Sequence, residues 1–112
     1  MFWRKKKEIQ SIITQKSGIE IQHNGNTTFI EWDSINRLVG FKIDKYTIDE
    51  ICLQIEFKNQ SIIVTEEYTG WRELINKTLI HFPNINKNWE GTIAIPAFEK
   101  NETELFNSNQ SQ

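Results

Sequence analysis

The groups able to act as nucleophile, base or metal ligand are few: one cysteine, Cys52, and two histidines, His23 and His81. A catalytic thiol needs an imidazole or another basic neighbour to hold it as the thiolate. Neither histidine has a spacing to Cys52 that suggests such a pair. Cys52 alternates within a strand pattern, where a small, partly buried thiol is the ordinary outcome. Two imidazoles well apart in the chain also make a poor metal set, because zinc sites draw on three or four ligands. The chain has no Gly-rich phosphate loop, no G-x-S-x-G elbow and no H-E-x-x-H pair. The sequence therefore predicts no catalytic residue, no metal site and no cofactor.

The carboxylates offer more. Asp44, Asp49 and Glu50 flank the turn Asp44-Lys45-Tyr46-Thr47-Ile48-Asp49, and Glu66-Glu67 ends the next hairpin. Paired acids work as general acid and base only in a cleft that raises one pKa. Nothing in the sequence marks one, so solvated surface charge is the default. Beyond that default, acids beside Tyr46 and Tyr68 suit a basic protein surface, since complementary charge speeds encounter and aromatic rings supply contact area. The candidate partner-binding set is Asp44, Tyr46, Asp49, Glu66, Glu67 and Tyr68.

Trp3, Trp32, Trp71 and Trp89 are numerous for this length, and an aromatic platform binds single-stranded nucleic acid or sugar. Trp71, however, falls on a helix's apolar stripe and Trp32 shares a strand face with Ile30, so both are assigned to the core. The basic run Arg4 to Lys7, with Phe2 and Trp3, can touch an anionic membrane. At about 1 kcal/mol per charge it supplies only ~4 kcal/mol, near millimolar affinity. Stable anchoring needs a second signal, and no lipidation motif is present. The stretch after the basic run is too polar for a signal peptide, so the expected compartment is the cytoplasm.

At 112 residues the chain makes one domain. Its 38% hydrophobic and 12% aromatic content is too high for a disordered protein. A formal net charge of −2 argues against a protein that grips a phosphate backbone, so no nucleic-acid partner is expected. No apolar run approaches the ~20 residues that span a bilayer. Eighteen Ile and eleven Asn against two Ala and two Val point by association to an AT-rich bacterial genome. The same bias accounts for the Asn-x-Ser/Thr triplets at Asn26, Asn59, Asn76, Asn101 and Asn109.

Short strands and one helix must position these groups. Ile19, Ile21 and His23 alternate with polar residues, Asn24-Gly25-Asn26 predicts a hairpin, and the return strand sets Phe29 opposite Ile30 and Trp32. Asp33-Ser34 breaks the run. Val39, Phe41 and Ile43 share one face of a third strand, in which Gly40 allows a bulge or a close approach. In Glu50 to Lys58, Ile51, Leu53, Ile55 and Phe57 face one way and Cys52, Gln54, Glu56 and Lys58 the other. Asn59-Gln60 turns into a partner strand, Ser61 to Glu66.

Trp71, Leu74, Ile75, Thr78, Leu79 and Phe82 then form a helical stripe. Thr69 or Gly70 caps its start, Glu73 favours its first turn and Pro83 stops it. Burying its large apolar side chains contributes at most ~7–15 kcal/mol, at ~1.5–3 each. Such a short helix is marginal alone and must dock on the sheet. Beyond it, Asn84 to Asn88 reads as a polar loop, Trp89 as an isolated anchor and Thr92-Ile93-Ala94-Ile95 as a short strand before Pro96, with Ala97-Phe98 closing the core. The domain is expected over 1–106, with 107–112 a frayed tail.

The segment Trp32-Asp33-Ser34-Ile35-Asn36-Arg37-Leu38-Val39 resembles the opening of a strand in bacterial pleckstrin-homology-like domains. With Phe41-Lys42-Ile43-Asp44, Asp49-Glu50-Ile51-Cys52-Leu53, Val64-Thr65-Glu66-Glu67-Tyr68-Thr69-Gly70-Trp71, Phe82-Pro83, Trp89 and Pro96-Ala97-Phe98, it resembles a family of small bacterial proteins, over about Trp32 to Phe98. The resemblance implies an immunity-type protein that binds and blocks a cognate toxin, and it carries over no functional residue. The expected architecture is α+β: a curved, largely antiparallel sheet of about five to seven strands, with one main helix against it. The expected function is non-enzymatic binding of a protein, with a pleckstrin-like module for a lipid headgroup, peptide or subunit as the alternative.

Overall fold

A computed structural model describes residues 10–45, 48–95 and 101–108. Ser11–Thr14 (β1), Gly18–His23 (β2) and Asn26–Glu31 (β3) form one antiparallel sheet in the order β1-β2-β3. Ile35–Lys45 (β4), Ile48–Phe57 (β5), Gln60–Thr65 (β6) and Asn101–Asn107 (β7) form a second, also antiparallel, in the order β6-β5-β4-β7. A helix, Trp71–His81 (α1), and a shorter one, Trp89–Ile93 (α2), lie between β6 and β7 in the chain. The fold is α+β, with two sheets in place of the one expected.

Local chemistry explains the hairpins. Asn24 and Gly25 have φ of 52° and 81°, and Lys58 and Asn59 have φ of 48° and 63°. Left-handed backbone at both central residues gives a two-residue loop the twist that antiparallel strands need, and Asn and Gly tolerate it best. The inward face of β5 appears as expected, with Leu53, Ile55 and Phe57 buried in the core and Ile51 packed against its margin, while Glu50 and Cys52 on the other face are buried as well. Ile30 is buried and Phe29 exposed. Trp32 opens a single 3-10 turn, Trp32–Ser34, and its indole N–H donates to the Gln15 carbonyl at 3.0 Å.

Helix α1 buries Trp71, Leu74, Ile75 and Thr78. Its N-cap is Gly70, for a reason beyond capping: φ is 95°, and a Cβ there would lie 2.1 Å from the Ile12 carbonyl oxygen. Ile12 N–H donates to Thr69 O and Thr69 N–H to Gln10 O, so the start of α1 is fastened to β1.

Three elements depart from the expectation. Thr92 to Ile95 is no strand, because Trp89 and Ile93, four residues apart, are both buried on one side of α2. Asn86 Oδ1 accepts from Asn88 N–H, and Asn88 O accepts from the Thr92 N–H and hydroxyl. Strand β1 lies where only a polar stretch was read. Strand β7 pairs with β4 and includes Asn107, and Ser108 N–H donates to Asn36 O, so ordered chain continues into the expected tail. Ala97, Phe98 and residues 109–112 lie outside the described residues.

In β4, Val39, Phe41 and Ile43 do share a face, but it is not the face that meets the core. Leu38, Gly40 and Lys42 alternate with them and face inward. Gly40 supplies the close approach: a Cβ there would lie 2.3 Å from the ring of Trp89.

Candidate functional site

The β4–β5 hairpin sets Asp44 opposite Asp49 and Ile43 opposite Glu50. Glu66 N–H donates to Ile51 O at 2.9 Å, which lays the β6–α1 loop beside the same end of the sheet. Asp44, Asp49, Glu50, Glu66 and Glu67 are thereby gathered at one end. Asp44, Glu66 and Glu67 are exposed, Asp49 is half-buried and Glu50 is buried. Tyr46 lies outside the described residues.

Neighbouring charge acts on Glu66. Partial burial raises the Glu66 carboxyl above the usual carboxylate range, and the charges on Glu50, Glu90 and Glu67 raise it further, against a hydrogen bond from the Ile51 backbone. Glu67 N–H donates to the Thr65 hydroxyl at 3.2 Å, which fixes the loop but leaves the Glu67 carboxylate facing solvent.

Two cations brace this end, Lys42 from within and Arg72 from the surface. The Lys42 side chain has no solvent exposure, and its Nζ lies 3.5 Å from Asp49 Oδ2 and donates to Ala94 O at 3.2 Å. A buried ammonium requires such acceptors, so Asp49 acts as counter-charge to Lys42 as well as rim acid. Arg72 grips Glu90 with two bonds of 2.8 and 3.0 Å, and Trp71 Nε1 donates to the same carboxylate at 3.1 Å. This raises the Arg72 pKa and ties α1 to α2.

Tyr68 packs its ring inward. It is buried, stacks with His23 at a centroid distance of 5.9 Å, and its hydroxyl is hydrogen-bonded to His23 Nδ1. Burial raises its phenol, and the charges on Glu50 and Cys52 add to the effect. Lys42 stands outside the candidate set, and so does Glu50, which the sequence places beside the turn but not in the interior. Their only sequence signal is their place in strands, since a charged residue in an alternating pattern reads as outward-facing.

The other reactive groups have packing neighbours. Cys52 is fully buried, with Sγ 3.8 Å from Glu50 O. His81 stacks on Trp32 at 4.0 Å between ring centroids. Among the described residues no group of three or more His, Cys, Asp or Glu is arranged to hold a metal ion. Nor is any helix among them long and apolar enough to cross a membrane. A polar concavity of about 500 Å³ lies at the other end of the same sheet, around Arg37 and Glu56. There Arg37 donates to Glu104 at 2.6 Å and to Glu56 at 2.8 Å, which raises its own pKa and lowers that of Glu104.

No protein-family model, curated protein or solved structure matches this chain.

Proposed function

We propose that this chain is a non-enzymatic binding protein of the immunity type, which neutralises a cognate bacterial toxin by covering its active site. The observation that supports this reading is the acidic end, where Asp44, Glu66 and Glu67 are exposed and the Glu66 carboxylate is repelled by Glu50, Glu90 and Glu67. A basic surface relieves that repulsion on contact, which favours association and orients it. Exposed Ile43 and Ile48 on the neighbouring hairpin add apolar area beside the charge. The mechanism is steric: a preformed surface occupies the toxin's substrate entrance, and no bond is made or broken.

The test is capture from lysate of the source cells, with mass spectrometry of what is retained, followed by affinity measurement on the retained protein. Asp44→Asn, Glu66→Gln and Glu67→Gln together should weaken binding more than tenfold. Asp49 is kept, because its substitution would disturb Lys42 and confound folding with binding. Unchanged affinity in the triple variant removes the acidic end from the interface.

A further inference from the structure

Strand β6 ends its sheet, pairing with β5 on one side only. The two-residue loop fixes which of its backbone groups face outward. Phe57↔Gln60 flanks the loop, so Gln60, Ile62 and Val64 bond to β5 while Ser61, Ile63 and Thr65 turn their N–H and C=O groups away. Two bonds agree with that parity: Glu66 N–H donates to Ile51 O, and the outward Thr65 O accepts from Tyr68 N–H. Ser61 and Ile63 keep both groups, and Thr65 its N–H, without a hydrogen bond among the described residues.

Open edges invite pairing, and proteins blunt them with charge, proline or bulges. The opposite edge, β7, carries Glu102 and Glu104 and a register shift against Leu38/Val39. Strand β1 is bridged to Thr69, and β3 ends in Glu31. Strand β6, Gln60-Ser61-Ile62-Ile63-Val64-Thr65, has no charge, glycine or proline and is rich in β-branched residues. An unprotected segment of this composition is an aggregation hazard unless something occupies it.

The edge also borders a cleft. A space of about 420 Å³ is lined by His23 and Thr28 of the first sheet and by Phe57, Ser61, Ile62 and Ile63 of the second. Ile62 and Ile63 point to opposite sides of their strand, so a space touching both wraps the strand's edge. Lys58 Nζ, 4.0 Å from Glu31 Oε1, links the β5–β6 turn to β3, and the His23–Tyr68 contact links β2 to the loop beyond the end of β6.

We infer that this cleft takes an extended peptide segment of a protein partner, which adds as a strand to β6. Main-chain bonds to Ser61, Ile63 and Thr65 supply the register, and apolar side chains on alternate peptide residues meet Ile62 and Phe57 on one side and Ile63 on the other. A second copy of this chain fits less well. Each copy's β6 edge has its own first sheet alongside, so two such edges obstruct each other. A shared edge of six residues is also only about 20 Å long and one strand wide, far short of the ~800 Å² per partner of a stable dimer.

This inference stands apart from the acidic end. The probe is a displayed library of random eight-residue peptides selected on the full-length protein, with the enriched peptides then synthesised. Binding should slow hydrogen exchange at the Ser61, Ile63 and Thr65 amides at least tenfold. N-methylation of alternate peptide amides should weaken binding at least tenfold in one parity and little in the other. Ile63→Pro, which removes an outward N–H and spares the β5 ladder, should abolish binding. If that variant fails to fold, the N-methylated peptides still decide. The triple acid variant should bind the peptide as the parent does. The inference is overturned if no peptide is enriched, if bound peptide leaves the three amides unchanged, or if the protein alone dimerises with them already protected.

Discussion

Gly40→Ala tests how α2 is seated. The added Cβ would lie 2.3 and 2.6 Å from Cζ3 and Cε3 of Trp89, whose side chain is 2% exposed. Ordinary contact begins near 3.4 Å, so the ring or the strand must retreat by about 1 Å. Overpacking of this kind costs about 1–3 kcal/mol. Alanine returns about 0.5–1 kcal/mol of backbone entropy that glycine loses in a strand. The net loss is then about 0–2.5 kcal/mol, at about 4–5 °C in Tm per kcal/mol for a chain of this size. Urea unfolding and scanning calorimetry of parent and variant measure it. Trp89→Phe supplies the control, since the shorter ring withdraws the clashing atoms. In that background Gly40→Ala should cost less than about 0.5 kcal/mol, a coupling expected only of residues in contact. Strict additivity of Gly40→Ala with Trp89→Phe would refute the close approach. The acidic end depends on the same contact, because α2 carries the Ala94 carbonyl and the Glu90 carboxylate that hold Lys42 and Arg72.

Two further perturbations probe the charges. Lys42→Met removes the buried cation beside Asp49 and should destabilise by about 3–5 kcal/mol, while Lys42→Met with Asp49→Leu should recover most of it; a single-variant loss below about 1 kcal/mol would mean the pair is not buried as described. Glu66→Gln should raise the urea midpoint at pH 7.5. The native Glu66 carboxyl lies above its unfolded value, so its ionised form penalises the native state: stability falls as pH rises through the native pKa and is restored below the unfolded value near ~4.3. The gap between parent and variant should therefore close as pH falls to about 4, and a gap that persists or widens on acidification contradicts the assigned repulsion.

Much of the frame was legible because it is local. The period of two in Ile51 to Phe57, the period of 3.6 from Trp71 to Phe82 and the Asn24-Gly25 loop each state their conformation within a few residues. The acids were legible as a group only because hairpin connections place Asp44 beside Asp49 and carry Glu66 back to Ile51. Other features were decided by what the chain meets in three dimensions. Lys42 reads as a surface lysine until the Gly40–Trp89 contact fixes which face of β4 turns inward, after which Asp49 and Ala94 must satisfy it. Tyr68 reads as a contact ring until β2 brings His23 against it. Thr92 to Ile95 has strand composition, yet the burial of Trp89 and Ile93 outweighs that preference, as packing routinely outweighs propensity. Strand β7 is too polar to announce itself and forms because β4 offers an open edge. Periodicity and turn chemistry act over a few residues and can be read in order along the chain. Burial of a charge, closure of a cleft and pairing of an edge depend on residues far apart in sequence, and only the folded chain brings those together.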